Sequence, residues 1–125
     1  MIRIAALAVL LTTATSASAQ SVKLTAEQIV DLLTGNTAIG KWEGVRYRQF
    51  FGPDGTTIYA QDGARSARGE WRIDKKRDEY QSIWPGDAEW EGWFVMQWQG
   101  DYYWVSRATP PTPFEVVDGQ QLSFE

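Results

Sequence analysis

Three acidic side chains, Asp87, Glu89 and Glu91, alternate with tryptophans in a segment that begins at Pro85-Gly86. Alternating carboxylates in a loop can hold a hard cation such as calcium, but this spacing lacks the Asp/Asn-Gly pattern and the final glutamate of the known calcium loops. A pair of carboxylates also permits glycoside hydrolysis, with aromatic side chains available to stack on sugars. Nothing in the sequence sets two carboxylates at the separation that this reaction needs. The segment is therefore interpreted as an exposed acidic loop.

The chain of 125 residues contains no cysteine and no histidine. Thiolate nucleophiles, His-based triads, conventional zinc sites and His-ligated haem each need one of those side chains, so these classes of site are excluded. We predict no catalytic residue, no metal site and no cofactor, and we interpret the chain as a non-enzymatic protein. A small carbohydrate-active enzyme that uses Asp and Glu is the alternative outside this class.

The first 19 residues have the pattern of an export signal. A positive charge precedes an apolar run over residues 4–11, and a stretch rich in Thr, Ser and Ala ends in an Ala-x-Ala sequence, which predicts cleavage between Ala19 and Gln20. The apolar run is shorter than the roughly 20 residues that a helix needs to span a bilayer. We expect an exported protein, periplasmic or secreted, with no membrane span and with residues 20–125 as a single domain.

Charge is distributed unevenly along this domain. After removal of the signal, 11 basic and 16 acidic side chains give a net charge of −5, so we expect neither nucleic acid nor anionic lipid as a partner. Residues 41–77 contain nine basic and five acidic side chains, whereas residues 78–125 contain one basic and nine acidic ones. We hypothesise that Arg46, Arg48 and Arg72 form a patch for an anionic partner or a ligand carboxylate, because guanidinium groups suit bidentate recognition. The alternative is an ordinary solvated surface.

Residues 26–34 have the features of a short amphipathic helix. Thr25 is a good N-cap, and Gln28, three residues later, can complete a capping box. Apolar side chains recur at helical spacing, and Gly35 is placed to end the helix in the left-handed conformation.

From Trp42 onward the apolar residues recur with a period of two, which predicts strands. With no second helix to support a parallel crossover, we predict a mainly β fold: an antiparallel meander of about eight strands, closed or nearly closed into a small barrel, with the helix over one end or edge. The predicted strands are residues 45–51, 56–61, 69–73, 79–84, 93–98, 102–107, 114–117 and 121–124.

The segment Gly40-Lys41-Trp42 resembles the G-x-W motif at the first strand of lipocalin and avidin-like (calycin) barrels. Over residues 24–84 the chain also resembles a group of small exported proteobacterial proteins of uncharacterised function. The matching segments are Gly35-Asn36-Thr37 after the helix, the aromatic strand 47–51, the turn Asp54-Gly55 and the strand Gly69-Glu70-Trp71. The resemblance implies a lipocalin-like barrel and supplies no activity. Members often carry two cysteines after the last of these segments; this chain has Tyr80 near one of those positions, so packing must replace the disulfide.

All 17 aromatic residues lie within residues 42–124. They either fill the core of the barrel or line a cavity for a small apolar or planar ligand. Tyr103 and Trp104 cannot both face inward, because neighbouring residues of a strand point to opposite sides. The candidate ligand-binding residues are those that this alternation turns inward: Tyr47, Trp71, Trp93 and Trp104. We therefore predict a binding domain; a protein-interaction module of the cell envelope with a solid core is the alternative.

Overall fold

A computed structural model describes residues 20–124 of the chain. The predicted signal peptide, residues 1–19, lies outside the described residues, as does residue 125. The described residues form one helix and nine strands. In chain order these elements are β1 (Val22–Lys23), α1 (Ala26–Leu33), β2 (Asn36–Trp42), β3 (Val45–Phe51), β4 (Thr56–Gln61), β5 (Ala67–Asp74), β6 (Glu79–Ile83), β7 (Glu91–Trp98), β8 (Asp101–Val105) and β9 (Thr112–Asp118).

The strands β2 to β9 form a closed antiparallel barrel of eight strands. Each strand pairs with the next along the chain, and β9 returns to pair with β2, with Ala38 opposite Val116. The two residues of β1 pair with β7 beyond the end of β6. Closure leaves no long unpaired edge, which protects a strand-rich protein from edge-to-edge aggregation. The predicted mainly β fold, a small lipocalin-like barrel with one short helix, is confirmed.

The sequence prediction was wrong about the strands at either end of the barrel. It missed β2, because before Trp42 this strand turns Ala38 and Gly40 inward, and these are too small to give an apolar alternation. It also assigned a final hairpin to residues 114–117 and 121–124. Residues 114–117 instead pair with β2, and residues 121–124 form no strand.

The residues after β9 lie against the outer surface of β2 and β3, held there by side chains. The buried hydroxyl of Thr37 donates to the carbonyl of Gly119 (2.6 Å) and accepts from the backbone N–H of Gln121 (3.0 Å). Arg48 Nη1 donates to the Gln121 carbonyl (3.0 Å). Side-chain hydrogen bonds from β2 and β3 thus replace the ladder that the predicted hairpin would have formed.

The helix α1 closes one end of the barrel. Its predicted capping box is confirmed: the Gln28 backbone N–H donates to Thr25 Oγ1 (3.3 Å), and the Thr25 N–H donates to Gln28 Oε1 (2.9 Å). The N–H of Ala26 donates to the side chain of Asp78 in the β5–β6 turn (2.7 Å), which fixes the start of the helix to the barrel. Ile29 is fully buried within the barrel core. Within the described residues, no helix is long and apolar enough to cross a membrane.

Apolar side chains fill the half of the barrel next to the helix. Phe51, at the end of β3, is 0% exposed, and its ring contacts the rings of Trp71 (centroids 5.4 Å apart), Tyr80 (5.6 Å) and Trp104 (6.3 Å). The buried members of this cluster are Leu24, Ile29, Leu33, Ala38, Phe51, Trp71, Tyr80, Val95, Trp104 and Phe114. The helix end of the barrel is therefore solid.

Candidate functional site

The opposite end of the barrel contains a cavity of about 340 Å³ that is open to solvent. Its position follows from the strand directions: Trp42 ends β2, Gln61 ends β4 and Glu91 begins β7, all at the end away from the helix. The described residues that line it are Trp42, Tyr47, Gln49, Tyr59, Gln61, Ala67, Tyr80, Ser82, Trp84, Glu91, Trp93 and Trp104. Seven of these twelve side chains are aromatic, so the cavity presents mainly flat apolar surfaces to whatever enters it.

The aromatic rings of the cavity wall support one another in pairs. The Tyr47 and Tyr59 rings stack with centroids 5.2 Å apart, and Trp84 meets Tyr59 edge to face at 6.0 Å. Across the mouth, Trp42 and Trp93 form an edge-to-face pair at 5.7 Å. These separations lie in the range that aromatic pairs prefer, so the rings are held in place without a ligand.

The glycine of each G-x-W segment makes room for a ring of this wall. A Cβ at Gly40 would lie 2.8 Å from the Tyr47 hydroxyl oxygen, and one at Gly69 would lie 2.6 Å from the Ile83 carbonyl oxygen and 2.7 Å from a ring carbon of Trp84. At either position a larger side chain would compete with the neighbouring ring for space. The two motifs therefore shape the cavity as well as the strands.

Replacing Gly40 by Ala is expected to push Tyr47 away from β2. The added methyl would also lie 3.0 Å from two carbons of that ring, which Tyr59 confines on the other side. We expect the free energy of unfolding to fall by about 1–3 kcal/mol, the usual cost of overpacking a core. Urea unfolding of Gly40→Ala, Tyr47→Phe and the double variant measures this fall.

The double variant is the control for this prediction. Tyr47→Phe removes the hydroxyl oxygen, which is the atom nearest to the added methyl. The cost of Gly40→Ala should therefore be smaller when it is combined with Tyr47→Phe than when it is made alone. Strictly additive costs would contradict the contact.

The floor of the cavity is a polar network that carries no charge. Gln49 Nε2 donates to Thr57 Oγ1 (3.0 Å) and to the Tyr80 hydroxyl (2.8 Å), and Trp104 Nε1 donates to the Tyr47 hydroxyl (3.1 Å). Burial raises the pKa of Tyr47 to about 12 and raises the pKa of Tyr80 further. Both phenols therefore stay protonated and neutral at physiological pH.

Three of the four predicted ligand-binding residues line the cavity, namely Tyr47, Trp93 and Trp104. Trp71 also points inward but lies below the cavity in the solid half, where its Nε1 donates to the Gly52 carbonyl (2.9 Å). Of the adjacent pair in β8, Trp104 is the buried one.

Sequence reasoning missed several lining residues. Three of them lie in strands or at strand ends, on the side that alternation turns inward: Trp42, Tyr59 and Trp84. The alternation rule that selected the predicted residues could have found these as well. The sequence predicts a loop at Glu91, whereas this residue begins β7 and lies two residues before Trp93, on the same side of the strand.

The three arginines of the hypothesised patch lie on the outer surface, where Arg46 and Arg48 share the Phe124 ring and Arg72 contacts other residues. Arg46 pairs with Asp62 (2.6 Å). Arg48 contacts the residues after β9, and both guanidinium groups lie over the Phe124 ring, at 5.4 and 5.7 Å. Arg72, on β5, donates to Gln81 Oε1 (2.7 Å) and lies 4.0 Å from the ring centre of Trp90. Binding of an anionic partner there stays a prediction.

The acidic segment after β6 is ordered by a local hydrogen bond. Asp87 Oδ2 accepts from the backbone N–H of Trp84 (3.0 Å), which closes the loop that leads to β7. Residues 20–124 contain no group of three or more acidic side chains that could hold a metal ion. Only the last of the three alternating carboxylates, that of Glu91, reaches the cavity.

No family model, curated protein or solved structure matches the chain. The site must therefore be interpreted from its own residues.

Proposed function

We propose that the protein is an exported, non-enzymatic binding domain that holds a small, largely apolar and planar ligand in the open end of its barrel. One observation carries the proposal: seven aromatic side chains surround a cavity of about 340 Å³, while the helix end is filled by its own apolar cluster. The cavity is within the range of roughly 300–1,000 Å³ that is common for small-molecule sites. Its flat, mutually supported rings favour a planar ligand.

The geometry favours this function over the two alternatives. A module that acts only through its surface has no need of an open aromatic cavity, and the open end supports ligand binding instead. Carboxylate-based glycoside hydrolysis needs two carboxyl groups on either side of the bond that is cleaved. Of the described residues that line the cavity, Glu91 alone carries a carboxylate. This supports a role in binding rather than catalysis.

Export rests on the sequence of residues 1–19 and on the resemblance to small exported proteobacterial proteins. Cleavage at the proposed site would leave Gln20 as the first residue, two residues before β1. Intact-mass measurement of the protein recovered from the periplasm or medium tests this. A mass that corresponds to a chain still beginning at Met1 would contradict it.

Ligand binding is tested with the neutral fluorescent probe N-phenyl-1-naphthylamine. We expect saturable binding to the purified protein, with energy transfer from the tryptophans of the cavity. Trp93→Leu should weaken binding about tenfold or more, which corresponds to about 1.4 kcal/mol, because it removes one wall of the cavity.

Trp98→Leu is the matched control for this experiment. Trp98 belongs to the same strand but lies at the helix end and is 41% exposed. Trp98→Leu therefore removes one tryptophan, as Trp93→Leu does, without changing the cavity. Probe affinity should be unchanged in this variant. Absence of saturable binding to the folded protein, or equal weakening by both substitutions, would contradict the proposed function.

A further inference from the structure

Among the described residues, the cavity has a single charged group, and that group is negative. Of the twelve side chains that line it, Glu91 alone is charged at neutral pH, since the three tyrosines are phenols. Glu91 is exposed to solvent, and within residues 20–124 no basic side chain forms an ion pair with it. A carboxylate without a basic partner beside an apolar cavity favours a ligand that brings the positive charge.

The aromatic rings near the mouth favour the same ligand. The face of an indole or phenol ring is electronegative and attracts a cation within about 6 Å, and tryptophan is the strongest of the side chains that do so. Trp42, Trp84 and Trp93 lie at this level of the cavity, two residues or fewer from the end of a strand. Tryptophan rings at the same end of the cavity as one carboxylate form an environment suited to an organic cation.

The loops and strand ends that surround the mouth carry charges of both signs. The loops join β2 to β3, β4 to β5, β6 to β7 and β8 to β9. Their acidic residues are Glu43, Asp62, Asp87 and Glu89, and their basic residues are Arg65 and Arg107. Asp62 is paired with Arg46 on the outer surface, and Lys41 and Arg68 lie in the strand ends that border these loops, so the rim outside Glu91 has no excess of negative charge. Glu91 itself is therefore the negative group that would attract a cation into the cavity.

We infer that the ligand is an organic cation, a quaternary or protonated amine on a planar apolar body, with its charge between Glu91 and the tryptophans of the mouth. This inference rests on the proposed function and specifies its ligand class. The neutral floor of the cavity, built from Tyr47, Tyr80 and Gln49, receives the uncharged part of the ligand.

The test compares phenyltrimethylammonium with its neutral isostere tert-butylbenzene, and with the anion benzenesulfonate, as competitors of N-phenyl-1-naphthylamine. The first two compounds have the same shape, so their difference in affinity measures charge alone. We expect the cation to bind about fivefold tighter than the isostere, and benzenesulfonate more weakly than both. Added salt should reduce the advantage of the cation.

The variant Glu91→Gln should weaken the cation about three- to tenfold and leave the isostere unchanged. Glu89→Gln is the matched control, because that acid lies in the same segment but does not line the cavity; it should change either affinity less than about twofold. Three results would overturn the inference and leave the proposed function intact. They are equal affinity for the cation and the isostere, tighter binding of benzenesulfonate than of the cation, and equal weakening of cation and isostere by Glu91→Gln. If none of the compounds or the probe binds, the proposed function itself fails.

Discussion

The Phe51→Ala variant is expected to have a free energy of unfolding about 3–5 kcal/mol below that of the parent protein. Phe51 is 0% exposed and contacts the rings of Trp71, Tyr80 and Trp104, so its removal leaves a cavity bordered by three rigid side chains that cannot easily collapse into it. Small domains are stable by only about 5–15 kcal/mol in total. Loss of this one ring therefore brings the barrel close to unfolding, as urea denaturation followed by circular dichroism will measure.

Phe94→Ala is the matched control for this prediction. Phe94 lies on β7 beside the buried Val95 but on the other side of the strand, where the Lys23 ammonium rests 4.1 Å from the ring centre. Because its ring is only partly buried, we expect a cost of about 1 kcal/mol. Equal costs for the two substitutions would show that the aromatic cluster of the helix end is not the main source of stability.

Local patterns in the sequence were sufficient to predict most of the fold. The start of the helix is set by the capping box, in which Thr25 and Gln28 form hydrogen bonds with each other. The alternation that predicts β3 is carried by its inward aromatic residues Tyr47 and Phe51. The closing strand β2 could not be predicted, because its inward positions before Trp42 are the small residues Ala38 and Gly40. Gly40 is small for a reason that lies elsewhere in the chain: the Tyr47 ring occupies the space that a Cβ there would need.

The candidate site was harder to predict than the fold. Parity identifies the side of a strand on which Tyr47, Trp93 and Trp104 lie, but not the depth at which rings from different strands meet. Depth determines whether an inward ring lines the cavity. Trp71 points inward but lies deeper, in the half of the barrel that is filled by apolar side chains. Which end of the barrel is filled and which is open depends on where α1 docks. The docking position of α1 follows from tertiary packing alone.

Tyr80 occupies the position near which the resemblance places a cysteine, and it is central to both halves of the barrel. Its ring contacts Phe51 and Trp104, and its hydroxyl accepts from Gln49. Packing and a buried hydrogen bond thus stabilise this position in a chain that contains no cysteine. A phenol at the centre of a barrel also makes the fold sensitive to alkali, because its ionised form cannot be solvated there.

The protein is expected to lose a large part of its stability between about pH 10 and pH 12. Tyrosines of the unfolded chain ionise near pH 10, whereas burial raises the pKa of Tyr47 to about 12 and that of Tyr80 still higher. The folded state therefore holds these protons more tightly than the unfolded state. The stability that they contribute is fully present below about pH 10 and is lost as the pH rises toward the folded values. Each tyrosine removes about 1.4 kcal/mol per pH unit, so the two remove about 5 kcal/mol over this interval.

Urea unfolding at a series of pH values, with tyrosinate absorbance recorded in parallel, measures this loss. Tyr47→Phe and Tyr80→Phe should each reduce the slope of unfolding free energy against pH by about 1.4 kcal/mol per pH unit above about pH 10. Each variant also loses a hydrogen bond, from Trp104 or from Gln49, which lowers stability at neutral pH without affecting that slope. Lysine ionisation contributes equally to all three proteins, because the substitutions leave every lysine in place. A slope that stays the same after both substitutions would mean that these phenols ionise without unfolding the barrel, and that the interior admits solvent down to its floor.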